Sequence, residues 1–159
     1  MSDLNSWRAK HRELIFSCRV IRDRFGQAAV DAVANEHLKN IREAFRKKAR
    51  ETGRTDLAAL LDGFKNISET HDHQIIHQDE HRLEIKVTRC AHCEMFAEWN
   101  ALDVGLAFMC SGDVAAAEGL NPKIRLQRPQ LLMRGQPCCH FIYTLEESRT
   151  DTQGGPRRE

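Results

Sequence analysis

The chain has 159 residues, 41% hydrophobic and 30% charged, which suits one domain with a packed core and a wetted surface. Its 24 Lys and Arg against 23 Asp and Glu leave a net charge of +1, which excludes a strongly basic nucleic-acid binder or an acidic solvating chain. No run approaches the ~18 apolar residues of a spanning helix, so no membrane partner is expected.

The first element reads as a helix. Trp7, His11, Leu14, Cys18, Ile21 and Phe25 recur at alternating steps of four and three, which places them on one helical face. Gly26 interrupts the pattern. A second helix is predicted from Gln27 to Thr52, with Val30, Val33, Leu38, Ile41, Phe45 and Ala49 as its apolar stripe. Its outer face carries Lys39, Arg42, Arg46, Lys47 and Arg50, with Glu36, Glu43 and Glu51 mixed in, and reads as a solvated face. Gly53 suits the C-cap. Thr55 or Asp56 can cap a third helix that carries Leu57, Leu60, Leu61, Phe64 and Ile67.

After Glu69 the chain changes character. The segment His71 to His77 enters a strand, and Leu83, Ile85 and Val87 alternate with Glu84, Lys86 and Thr88. The two segments form a predicted hairpin around Asp79-Glu80. Met95, Phe96 and Trp99 suit a helix after Cys90. Asp103 is expected to cap a helix through Met109, Cys110 to Asp113 to form a turn, and Asp113 to cap a short helix through Glu118. Two strands follow, from Lys123 to Met133 with a bend at Pro129, and from Cys138 to Leu145. Arg134-Gly135-Gln136-Pro137 makes the turn between them. The tail from Glu147 to Glu159 is polar and expected to be disordered. The predicted architecture is α+β: N-terminal helices packed on an antiparallel sheet with short inserted helices, one domain over residues 1–146.

The six cysteines read as thiols, metal ligands or catalysts. The N-terminus, MSDLNSWRAKHREL, lacks the apolar core of an export signal, so a cytoplasmic location is expected. Cys110 stands at the expected opening of the Asp113 helix, where free N–H groups would favour a thiolate; a buried thiol beside a cap is the plainer alternative. Asp113 would orient a water or a proton, or simply cap the helix. Arg128 shares strand parity with Ile124 and Leu126, so its guanidinium aims at the apolar side. It needs an anionic partner there, either a protein carboxylate or that of a substrate. Cys139 shares a face with Phe141 and Tyr143 and looks inward, while Cys138 and His140 point the other way. A vicinal Cys138–Cys139 disulfide would be strained. Cys90-Ala91-His92-Cys93 offers zinc ligands or a redox pair, and the histidines at 71, 73, 77 and 81 supply further nitrogens.

Four pieces in order resemble one family: Val87-Thr88-Arg89-Cys90, Cys110-x-x-Asp113, Leu126-x-Arg128-x-Gln130 and Gly135-x-x-x-Cys139-x-Phe141. Their spacing and strand-turn-strand setting are similar to the L-2-amino-thiazoline-4-carboxylic acid hydrolases. The resemblance implies hydrolytic opening of a C–N bond in a small, carboxylate-bearing, amidine-like ring, without a cofactor. It implies catalytic roles for Cys110, Asp113 and Cys139, with Cys110 as nucleophile. Arg128, Cys90 and His140 would contact the substrate. The chain departs from the pattern at His140, where an acid is common, at Pro129 and at Ser111-Gly112. The Gly-x-x-x-Cys-x-Phe ending also resembles vinyl-reductase-like ligand-binding modules. That implies a second expectation: a sensory or binding domain with zinc on Cys90, His92 and Cys93.

Overall fold

The structure, a computed structural model, describes residues 4–146. The expected tail therefore lies outside the described residues. Helix α1 (Leu4–Phe25) and helix α2 (Gln27–Thr52) meet at Gly26, whose φ of 83° turns the chain between them. His11, Ile15 and Cys18 are the buried residues of α1. The predicted stripe drifts off the buried face: Phe25 is 73% exposed, and in α2 Ala34 is buried where Val33 is 44% exposed. Steps of four and three average 3.5 residues, and an α-helix slips ~20° per heptad against that repeat.

Gly53 closes α2 in the left-handed conformation, its N–H donating to the Ala49 carbonyl. Asp56 caps α3 (Leu57–Lys65) by accepting the Ala59 N–H at 2.8 Å. Strands β1 (His71–Gln78) and β2 (Arg82–Cys90) form the expected hairpin. Asp79 Oδ1 accepts the N–H groups of His81 and Arg82 and fixes its turn. With β3 (Ile124–Gln130) and β4 (Cys139–Leu145) they make an antiparallel sheet in the order β1-β2-β4-β3. The α+β architecture is as the sequence predicts.

Two irregularities shape the site. In β2, Val87 pairs with His73 and Arg89 with Asp72, so Thr88 is an extra residue, a β-bulge. The bulge reverses the alternation, so Cys90 is partly buried although it lies an odd step from Val87. The bend at Pro129 is a second bulge. Gln127 pairs with Ile142 and Gln130 with His140, and a proline without an N–H is tolerated in this edge strand.

The turn expected at Cys110 to Asp113 does not form. After α4 (Ala91–Glu98) and a turn at Trp99-Asn100, α5 (Leu102–Gly105), a π-helical turn over Leu106–Cys110 and α6 (Ser111–Leu120) run on without a break. Ala101, not Asp103, occupies the N-cap of α5, and Asp113 lies inside α6. Glycine here serves close packing. A Cβ on Gly105 would lie 2.7 Å from Met133, and one on Gly112 3.2 Å from Ile41. The tightest approach is at Gly119, where a Cβ would sit 2.3 Å from the Arg42 carbonyl oxygen of α2. Arg42 itself is half-buried and pairs with Glu118 of α6 at 2.7 Å, so α2 is not solvated along its whole basic face.

Two apolar clusters form the interior. One joins the sheet to α3 and α6 through Leu57, Leu61, Leu83, Ile85, Phe141 and Tyr143. The other joins α1, α2, α4 and the π-helical turn through Ile15, Cys18, Val30, Phe96 and Phe108. Among the described residues no helix is long and apolar enough to cross a membrane.

Candidate active site

A cavity of about 370 Å³ opens where the two clusters meet. Val87, Cys139 and Phe141 reach it from the sheet, Ile41 and Phe45 from α2, and Phe108, Cys110 and Asp113 from the helical run. His71 and Cys90, at adjacent strand ends, complete one side. The wall is mainly apolar, with a few convergent polar groups, which is the usual make-up of a small-molecule pocket.

The cavity thus gathers three of the predicted sulfurs, Cys90, Cys110 and Cys139, with Asp113. All six cysteines of the chain are free thiols, so no vicinal disulfide forms. Burial pushes the Cys90 and Cys110 thiols up to about 12 and Cys139 up to about 11. For Cys110 this reverses the expected thiolate. Its residue continues a helix instead of opening one, and the next N–H, that of Ser111, is spent on the Leu106 carbonyl. The nearby Asp113 pushes the same way as burial.

Arg128 is only 15% exposed, as strand parity predicts, but it does not line the cavity. Its Nη1 donates to the Cys110 carbonyl and lies 3.5 Å from Asp113 Oδ2. Its anionic partner in this structure is therefore the protein's own carboxylate. Burial raises Asp113 to about 7, against the pull of Arg128. The side chain is 37% exposed, and because it lines the cavity we read that surface as facing the hollow. Such a group exchanges a proton near neutral pH.

Two further predicted placements fail. His140 lies on the opposite side of the sheet from Cys139, where its Nε2 pairs with Glu84 at 2.7 Å; it does not line the cavity. Strand alternation is the reason, since Cys139 and Phe141 occupy the inward face. Nor do Cys90, His92 and Cys93 converge as a zinc site. Among the described residues no three His, Cys, Asp or Glu side chains are placed to hold a metal ion. Cys90 caps α4, its sulfur accepting the Cys93 N–H at 3.5 Å, and Cys93 packs in the helical cluster. His92 stacks on Trp7 at 4.5 Å, and its Nδ1 meets His11 Nε2 at 2.6 Å. Burial, with His11 and His71 nearby, holds His92 down to about 3.

Sequence reasoning offered His71 only as one of four candidate metal nitrogens, not as a partner of Cys90. His71 is buried, and its Nε2 lies 3.2 Å from Cys90 Sγ. A hairpin centred on Asp79-Glu80 would set His71 opposite Thr88; the turn is centred one residue later and the two shifts within the ladder cancel, so His71 pairs with Cys90. His77 and His81 stay at the exposed hairpin turn, where His77 pairs with Asp79.

No curated protein is similar enough to count as a relative. Residues 9–143 match the family described as L-2-amino-thiazoline-4-carboxylic acid hydrolase, and the chain belongs to that family.

Proposed function

We propose that this protein is a thiol-dependent hydrolase that opens a C–N bond in a small, carboxylate-bearing ring held in the cavity. The observation that carries this reading is the meeting of three thiols, from β2, the π-helical turn and β4, with a carboxyl group poised near neutrality. One sulfur attacks the ring carbon between the heteroatoms, Asp113 delivers the proton to the leaving nitrogen, and the other thiols line the pocket. Arg128 positions Asp113. The reading calls for no cofactor and treats residues 1–146 as one functional unit. Six free thiols support a reducing compartment such as the cytoplasm.

The test is ring opening of L-2-amino-thiazoline-4-carboxylate. Turnover is expected, falling as pH rises through about 7 as Asp113 loses its proton. Asp113→Asn should lower kcat by ~10²-fold, the ordinary size of a lost general acid. No ring opening of this compound or of other five-membered cyclic amidines would overturn the reading.

A further inference from the structure

We propose that Cys90 is the attacking nucleophile and His71 its general base, the imidazole being oriented by Thr70. The inference rests on the hydrolase reading above and deepens it. The backbone brings the pair together: His71 and Cys90 face each other directly in the β1–β2 ladder, and the Thr88 bulge turns Cys90 toward the cavity. The Ala91 N–H donates to the Thr70 carbonyl at 3.1 Å, which fastens the start of α4 to the same strand end.

The proton inventory follows from the partners. Thr70 Oγ1 donates its single hydrogen to the Ile67 carbonyl at 3.0 Å. With its hydrogen so placed, Oγ1 accepts from His71 Nδ1 at 2.9 Å, and the proposal takes the tautomer in which Nδ1 carries the imidazole proton. Nε2 is left with its lone pair facing Cys90 Sγ at 3.2 Å, and the thiol donates to it. A nucleophile, a base within reach and a third group that orients the base form the arrangement nucleophilic catalysis requires. Burial lowers the pKa of the imidazole, which leaves Nε2 unprotonated at rest. The Cys93 N–H, 3.5 Å from the sulfur, stabilises negative charge as the proton leaves. Cys110 Sγ has no hydrogen-bond partner among the described residues, and its acidic neighbour opposes ionisation.

The Cys90 thiol proton passes to His71 Nε2 while sulfur bonds to the ring carbon. The C–N bond breaks and the leaving nitrogen takes a proton from Asp113. Water, deprotonated by the Asp113 carboxylate, then attacks the sulfur-bound carbon. The C–S bond breaks, and the sulfur recovers its proton from the imidazolium, so one water is consumed per turnover.

The test reads thiol chemistry in the intact protein without any substrate. Brief treatment with iodoacetamide at neutral pH, followed by peptide mass spectrometry, gives the rate at each cysteine. Cys90 should alkylate at least tenfold faster than Cys110 and Cys139, and His71→Gln should remove that advantage. Thr70→Val, nearly the same shape, is the second variant and should slow Cys90 severalfold while leaving Cys110 unchanged. Equal or slower reaction at Cys90 in the unaltered protein overturns the proposal. So does an advantage that survives in whichever of the two variants keeps its cooperative thermal unfolding. If Cys90 behaves as expected but no cyclic amidine is turned over, the Cys90–His71 pair stands and the substrate reading falls.

Discussion

Cys90 and Cys110 face one cavity and carry thiols raised to the same value, about 12, by the same cause, burial. Their neighbours differ. Cys90 has a neutral imidazole 3.2 Å away and a helix N–H on its sulfur, whereas Cys110 has a carboxyl group that resists ionisation and a guanidinium committed to its backbone oxygen. Depth sets how protonated a resting thiol is. The adjacent acceptor decides whether the sulfur can shed that proton at the moment of attack.

The largest expected effect sharpens this contrast. Cys90→Ser should lower kcat for the ring-opening reaction by ~10³-fold or more, as loss of a nucleophile does, while Cys110→Ser should cost less than about tenfold. Steady-state kinetics of the two variants would break the comparison if their order were reversed.

A packing change should act on one side only. Gly119→Ala drives a methyl against the Arg42 carbonyl, because neither backbone can give way, and should destabilise the chain by about 1–3 kcal/mol in urea unfolding. Since α6 carries Asp113, the same variant should weaken general-acid function while the alkylation rate of Cys90 stays within about twofold.

The smallest effect is in pH-dependent stability, where the two sides run in opposite directions. Asp113 holds its proton up to about 7, against an ordinary 3.8. Between those values the folded chain binds a proton the unfolded chain has released, so this group's contribution falls as pH rises. His92 is held near 3 against an ordinary 6.5. Below pH 6.5 the unfolded chain takes up the proton first, so stability falls as pH falls. Thermal melting across pH 3–8 should show Asp113→Asn flattening the first slope and His92→Phe, which keeps the stack on Trp7, flattening the second.

Features that depend only on near neighbours in the chain were legible from the residues. Gly53 and Asp56 end and begin helices through their own caps, and alternation along Leu83, Ile85 and Val87 fixed the inward face of β2. The parity of Cys139 and Arg128 likewise pointed both side chains inward. Tertiary structure decided the rest, because the deciding partners are remote in sequence. Gly112 read as a turn, but it lies inside α6 against Ile41 of α2, and the helical run through Cys110 leaves none of the free N–H groups expected there. Arg128 turned out to face Asp113 from fifteen residues away instead of lining the hollow. The pairing of His71 with Cys90 depended on the centre of the turn and on two offsetting bulges, at Ile76 and Thr88, which alternation alone does not reveal.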